Sequence, residues 1–177
     1  QGRELEALEY AETANNAWAF GAHAVIVEVD RDTGRLRILR SVFVHDCGTV
    51  VNPLLVEGQI IGGIAQGIGN SLFERISYDE GGQLTTASFM DYLLPSAPEV
   101  PDTEVYHLET PSPLNPYGFK GAGESGVMTV PAAIAQAIED ALGPGCPAIE
   151  KVPLLPEDVR NLAAQAAAGP RQAGADA

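Results

Sequence analysis

Alternating apolar and polar residues predict a β-hairpin in the first third of the chain. The run AHAVIVEVD (residues 22–30) alternates and is rich in β-branched side chains, which is typical of a half-buried strand. The turn-forming run Asp-Arg-Asp-Thr-Gly follows, and RLRILRSVFVHD (35–46) then reads as a second strand. A short connection between two such runs predicts an antiparallel pair.

Helical spacing of apolar residues predicts a long helix over residues 54–74. Its apolar stripe consists of Ile60, Ile61, Ile64, Ile68 and Leu72. The other side carries Gln59, Gly62, Gly63, Gln66, Gly69, Asn70 and Phe73. A glycine inside a helix costs about 1 kcal/mol relative to alanine, so several glycines on one face need a reason. We expect this face to permit the close approach of another segment or of a ligand.

Weaker patterns follow along the rest of the chain. SYDEGGQLTT predicts two strand segments around a Gly-Gly turn, and EVYHLET predicts a strand after a proline-rich loop. An Ala-rich helix is expected from about Gly126 to Leu142, with Ser125 as its N-cap. The run AIEKVPLLP predicts either a short edge strand or an extended piece. The run PEDVRNLAAQ predicts a short helix.

Together these elements predict an α+β fold, with a mixed sheet, hairpins and two main helices. The predicted organisation is an N-terminal extension over residues 1–20, a domain over 21–160 and a disordered tail over 161–177. The last of these is a low-complexity run of alanine, glycine and polar residues.

Composition narrows the possible partners and the setting. The net charge of −14 argues against a nucleic-acid partner, because binding phosphates requires clustered Lys and Arg. No apolar run is long enough for a membrane span, and no signal-peptide pattern precedes the domain. Cys47 and Cys146 do not form a metal-ligand pattern, so a reduced, cytoplasmic setting is expected.

The segment from Gly121 to Gly126 matches the string G-x-G-x-x-G, but its context does not fit a dinucleotide site. Such a site needs a buried strand directly before the first glycine, whereas PSPLNPYGFK contains three prolines. Glu124 would also place a negative charge where a pyrophosphate should lie. Alternatively, the glycines serve Glu124, a general-base candidate at a helix start. An ordinary carboxylate that stabilises the first turn of its helix remains the other interpretation.

Two further groups of residues are candidates for chemistry. The sequence His45-Asp46-Cys47 could supply metal ligands or a nucleophile, but zinc needs three or four ligands and these residues alternate faces at a strand end. A packing role is therefore preferred. Lys120, just before the glycine loop, is expected to pair either with a carboxylate or with a cofactor phosphate.

Three motifs occur in order: VNPLLVEGQIIGGIAQGIGNSLFE, SFMDYLLP, and GFKGAGESG followed by an Ala-rich helix. In combination they resemble the C-terminal part of the molybdenum-binding large subunit of the xanthine dehydrogenase, aldehyde oxidase and carbon monoxide dehydrogenase family. The resemblance runs from about Phe20 to Leu142. It implies the fold of the second molybdenum-cofactor-binding domain of those enzymes.

The resemblance also implies a reaction. In that family a molybdenum hydroxylase oxidises an electron-poor carbon of an aldehyde, N-heterocycle, purine or carbon monoxide, with water as the oxygen source. The residue corresponding to Glu124 acts as the base for a metal-bound hydroxyl. The residues that it implies for cofactor binding are Gln66, Gly67, Gly63, Gly123 and Lys120. No direct protein ligand to molybdenum is expected.

The cofactor implied is molybdenum–molybdopterin in its cytosine dinucleotide form, with 2Fe-2S clusters and FAD on partner subunits or domains. The family's subunit is several times longer, so this chain resembles a split subunit, a cleaved piece or an excised fragment that is inactive alone. Expected partners are the rest of the molybdenum subunit, an iron–sulfur subunit, an FAD subunit and a small-molecule substrate. The alternative is a non-catalytic scaffold or interaction domain with the same fold.

Overall fold

The computed structural model describes residues 7–10 and 15–169, and its regular elements form the mixed α+β arrangement that the sequence predicts. In chain order the elements are β1 (Phe20–Val29), β2 (Leu36–Asp46), α1 (Pro53–Leu72), β3 (Thr103–Leu108), α2 (Val130–Leu142) and α3 (Pro156–Ala168). A short 3-10 helix at Ala97–Glu99 precedes β3.

The predicted hairpin is confirmed, and it forms two thirds of the sheet. β1 pairs antiparallel with β2, from Phe20 opposite Asp46 to Val29 opposite Leu36. The carboxylate of Asp30 accepts hydrogen bonds from the amides of Asp32 and Thr33, and these bonds close the turn between β1 and β2. β3 pairs parallel with β2 on its other edge, so the sheet is mixed and has the order β1-β2-β3.

The predicted long helix is also confirmed. α1 begins at Pro53, after the side chain of Asn52 has accepted the amide hydrogen of Leu55 as an N-cap. Ile60, Ile64 and Ile68 follow one another at four-residue intervals and are completely buried. They pack in one core with Phe43 of β2, Ile134 and Ile138 of α2, and Val159 of α3.

The start of α2 differs from the prediction. The helix begins at Val130 with Thr129 at the N-cap position, and residues 125–129 form turns. Ser125 is therefore not the N-cap; its hydroxyl donates instead to the carbonyl of Ala122. Pro131 explains the later start, because proline is tolerated only in the first turn of a helix.

One weaker prediction needs correction, and another is decided between its two alternatives. The segment 77–86 contains one isolated bridge, between Tyr78 and Leu84, rather than two strands. Residues 147–155 contain no strand, which agrees with the extended piece and not with the edge strand. In each case the turn or the prolines leave too few consecutive residues free to pair.

The predicted domain boundaries stay a prediction, and the structure adds one observation near each of them. α3 continues to Ala168 and buries Ala163, so the first part of the predicted tail is helical. The remainder of that tail, from residue 170, lies outside the described residues. Near the other end, Trp18 already bridges to Gly121, whereas residues 1–6 and 11–14 of the predicted extension lie outside the described residues. Within the described ranges, no helix has both the length and the apolar character that crossing a membrane requires.

Candidate functional site

The loop that carries Glu124 runs from the end of the sheet to the surface of α1. Its first residue, Gly121, donates its amide hydrogen to the carbonyl of Ala17 at 3.1 Å. Further along, Val127 donates to the carbonyl of Glu124, also at 3.1 Å. Ser125 is buried while Glu124 is exposed. The backbone of the loop is thus fixed, and the carboxylate of Glu124 faces solvent.

One stripe of α1 is covered by this loop; we call Gln59, Gly63 and Gly67 the covered stripe. The side-chain amide of Gln59 donates to the carbonyl of Gly123 at 2.7 Å. A Cβ atom at Gly63 would lie 3.0 Å from the Cα of Gly126, and one at Gly67 would lie 2.6 Å from the Cβ of Val130. These glycines therefore make room for the segment 123–130.

The neighbouring stripe, made of Gly58, Gly62 and Gln66, is the open stripe. Its members lie about 100° around the helix from the covered stripe, since an α-helix has 3.6 residues per turn. Among the described residues, nothing lies within 4 Å of a Cβ atom built at Gly58 or Gly62, and Gln66 is exposed. The helix thus presents uncovered glycines and an amide side chain beside the loop that carries Glu124.

Glu124 lines a cleft of about 350 Å³ between this loop and the segment before β1. On its own side lie Gly123, Ser125 and Met128, and on the opposite side lie the residues 16–19, including Trp18. Trp18 and Met128 are 71% and 60% exposed, so large apolar surfaces flank the carboxylate. A carboxylate in such a cleft can accept a proton from a molecule bound there.

Lys120 pairs with a carboxylate, the first of its two predicted partners. Its Nζ lies 3.0 Å from Oδ1 of Asp46, and both side chains are nearly buried. Burial opposes the charged form of Asp46, yet hydrogen bonds from Thr110, Gly48 and Lys120 hold its pKa well below its usual range. A direct contact between Lys120 and a cofactor phosphate stays a prediction, and it would require this pair to open.

In the segment His45-Asp46-Cys47, the buried His45 and Cys47 have the packing role that the sequence favoured, whereas Asp46 pairs with Lys120. The ring of His45 is buried, stacks on Phe43 with 5.9 Å between ring centroids and meets His107 edge-on. Burial raises the pKa of the Cys47 thiol, which disfavours the nucleophilic thiolate. In the part of the chain that the structure describes, no group of three or more His, Cys, Asp or Glu residues could hold a metal ion.

The predicted site residues therefore fall into four places. Glu124 and Gly123 line the cleft, Gly63 and Gly67 lie beneath the loop, Gln66 lies on the open stripe, and Lys120 is paired with Asp46 at the end of β2.

Gln59 was predicted to lie on the glycine-bearing face, but no role was predicted for it. Trp18 and Met128 were not predicted as residues of the site. The four-residue spacing of Gln59, Gly63 and Gly67 was the available signal for a stripe that another segment covers.

Comparison with known proteins shows which family and which relatives this chain resembles. The profile of the molybdopterin cofactor-binding domain matches residues 3–101. The nicotine 6-hydroxylase large subunit of Paenarthrobacter nicotinovorans is 44% identical over 155 residues, which are 88% of this chain and 19% of that protein. From the same organism, the 6-hydroxypseudooxynicotine dehydrogenase complex subunit gamma is 47% identical over 82% of this chain and 18% of its own length.

A solved structure extends the likeness to three dimensions. The crystal structure of quinoline 2-oxidoreductase from Pseudomonas putida 86 superposes with a TM-score of 0.79 and 50% identity, over 82% of this chain and 19% of that one. The chain therefore spans about a fifth of the length of the relatives that it matches.

Proposed function

The chain belongs to the molybdopterin cofactor-binding domain family, and from that premise we propose that it is part of a molybdenum hydroxylase in which Glu124 serves as the base. The reaction class is the oxidative hydroxylation of an electron-poor carbon, with water as the oxygen source. The observation that carries the proposal is the position of Glu124: a carboxylate at an apolar cleft, on a loop that is hydrogen-bonded to α1.

The open stripe fits the approach of a large polar cofactor. Gly58 and Gly62 leave the helix surface free of side chains, and Gln66 adds an amide that can both donate and accept hydrogen bonds without adding charge. Gln66 would hold the cofactor there, and Gly123 would let the loop backbone come close to it. When bound, the molybdenum group would supply the redox chemistry.

The residues of this chain then have separate tasks. Glu124 holds and moves a proton at its carboxylate oxygens, which a positioned carboxylate can do with a rate benefit of roughly 10²–10⁴-fold. Trp18 and Met128 lie on opposite sides of the cleft, where they offer apolar surface to the substrate and exclude water once it is bound. Gln59 keeps the backbone of Gly123 in place through its 2.7 Å hydrogen bond.

The complete enzyme would contain more than this chain. We infer that the rest of the molybdenum subunit, an iron–sulfur subunit and an FAD subunit complete it, with the cytosine dinucleotide form of the cofactor. One relative is the gamma subunit of a 6-hydroxypseudooxynicotine dehydrogenase complex, which supports a multi-subunit assembly. A small molecule with an electron-poor carbon is the substrate.

The test is Glu124→Gln in the intact enzyme that carries this chain, because glutamine keeps the shape of the side chain and removes its basicity. Glu80→Gln, on an exposed turn, is the matched control. We expect substrate oxidation to fall by about 10²–10⁴-fold at unchanged molybdenum content, while the control keeps its rate. Oxidation at the wild-type rate in a fully loaded Glu124→Gln enzyme would contradict the base assignment and favour the scaffold alternative.

A further inference from the structure

A buried ion pair connects the sheet with the loop that carries Glu124. Oδ1 of Asp46 accepts hydrogen bonds from Nζ of Lys120 at 3.0 Å, from the amide of Gly48 at 2.9 Å and from the amide of Thr110 at 3.2 Å. These donors come from three segments: the residues after β2, the residues after β3 and the start of the Glu124 loop. One carboxylate oxygen therefore joins three parts of the chain.

Lys120 is held at its backbone as well as at its side chain. Its amide donates to the carbonyl of Cys47 at 2.9 Å, and the preceding residue, Phe119, bridges to Gly48. Its Nζ also lies 4.9 Å from the centre of the Phe20 ring, at the start of β1. The position of Lys120 is thus determined by the ends of both β1 and β2.

The three residues between Lys120 and Glu124 are Gly121, Ala122 and Gly123. Two glycines in so short a connection widen the range of backbone angles that the loop can adopt. The far end of the loop is fixed where Gly126 lies against Ile60 of α1, and Lys120 fixes the near end. Since a misplacement of about 1 Å can slow catalysis by about 10²-fold, both anchors matter for a reacting carboxylate.

Stability alone is a poor explanation for this pair. Removing two charges from water carries a large desolvation penalty, and apolar replacements of buried pairs are often equally stable. The side chains of Lys120 and Asp46 are only 7% and 9% exposed, so Nζ is also inaccessible to an external phosphate. A buried pair with three donors on one oxygen does, however, define a geometry.

We propose that the Asp46–Lys120 pair is a positioning element, which fixes the start of the Gly121–Ser125 loop against the end of β2 and thereby sets the position of the Glu124 carboxylate. The link to catalysis rests on the proposed function, in which Glu124 is the base. The anchoring of the loop does not depend on that function.

Hydrogen exchange measured by mass spectrometry on the intact, cofactor-loaded enzyme tests the anchoring directly. The variants are Lys120→Met, which removes the charge at similar length, and Asp46→Asn, which keeps the shape and the Oδ1 acceptor. We expect amide exchange in the peptide covering residues 119–127 to accelerate tenfold or more in both variants, with exchange in α1 and α3 unchanged. In steady-state kinetics with the substrate that the enzyme oxidises, kcat should fall about 10- to 100-fold, with KM within threefold.

An exposed ion pair on the same strand supplies the matched control. Nε of Arg40 lies 2.7 Å from Oε1 of Glu104, and the two side chains are 57% and 42% exposed. Arg40→Met removes a charge from β2 without touching the loop. We expect exchange in residues 119–127, and kcat, to remain at their wild-type values.

Either of two exchange results would overturn the proposal: unchanged loop exchange in both variants, or acceleration by the same factor in α1 and α3. If Lys120→Met does not fold, the exchange of Asp46→Asn decides between the outcomes. If neither variant folds, the pair has a purely structural role and the proposal is also overturned. If Glu124→Gln keeps full activity while Lys120→Met still frees the loop, the base assignment fails and the anchoring role stands.

Discussion

The covered and open stripes of α1 have similar compositions but different surroundings. Each contains two glycines and one glutamine at four-residue intervals: Gln59, Gly63 and Gly67 in one, Gly58, Gly62 and Gln66 in the other. The covered stripe lies against the segment 123–130, whereas nothing in the described chain lies near the two open glycines.

This contrast shows that the same residue type serves two purposes on one helix. In the covered stripe, glycine permits two segments of the same chain to pack closely. In the open stripe, it leaves helix surface for a partner or cofactor. In both stripes, each glycine makes the helix less stable by about 1 kcal/mol than an alanine would. Substituting glycines in the two stripes should therefore have opposite effects on local stability.

The largest effect is expected from Gly126→Ala, on the segment that covers the stripe. Its new Cβ atom would collide with the backbone of Ile60, which cannot rotate aside. Overpacking of this kind costs about 3 kcal/mol at the upper end of its usual range. Hydrogen exchange in the intact enzyme should show a matching loss of protection in α1 and in residues 120–130. Unchanged protection would mean that the loop packs less tightly than described.

Gly67→Ala should destabilise the same contact by less. The new Cβ atom would lie 2.6 Å from the Cβ of Val130, whose side chain is fully buried. The clash outweighs the gain in helix propensity, so we expect a net loss of about 1–2 kcal/mol. Hydrogen exchange of the amides in α2 measures this loss of stability. A stabilising result would place Gly67 with the open stripe instead.

Gln59→Ala removes the hydrogen bond to Gly123 without creating a clash. Because Gln59 is exposed, we expect the loss to be about 1 kcal/mol and confined to the loop. Faster exchange should appear in residues 121–127 while α2 stays protected. Gln83→Ala, at an exposed glutamine outside both stripes, is the control and should leave exchange in that loop unaltered.

The smallest change in stability, and one of opposite sign, is expected from Gly62→Ala. With open space around the new Cβ atom, helix propensity should stabilise α1 by up to about 1 kcal/mol. If the open stripe receives the cofactor, the same substitution should lower the molybdenum content of the purified enzyme, measured by elemental analysis. Normal molybdenum content together with higher protection would count against that assignment of the stripe.

The elements that were predictable are those with strong local periodicity. β1, β2 and α1 were recognised because their apolar residues repeat every two residues or every three to four residues over long runs. The start of α2 was misplaced by about four residues because Ser125 resembled an N-cap, although Pro131 already carried the correct signal. The prediction of two strands around Tyr78 was wrong because the alternation of apolar and polar residues there is too short to distinguish a strand from a turn.

The site was less predictable than the fold. Glu124 stood out because a charge inside a glycine loop is unusual, and the order of motifs indicated Gln66. The partners of the loop had no local signal: Lys120 and Asp46 are 74 positions apart, and Gln59 and Gly123 are 64 positions apart. Pairings over such distances depend on how the sheet and α1 come together.

Hydrophobic periodicity, glycine content and charge were enough to establish the mixed fold, the long glycine-bearing helix and the carboxylate in its glycine loop. All of these can be predicted from patterns among residues near one another in the chain. Folding of the whole chain determined which glycines are covered and which are open, and it gave Lys120 its buried partner. Helix spacing tells which residues share a stripe, but only packing tells what lies against that stripe.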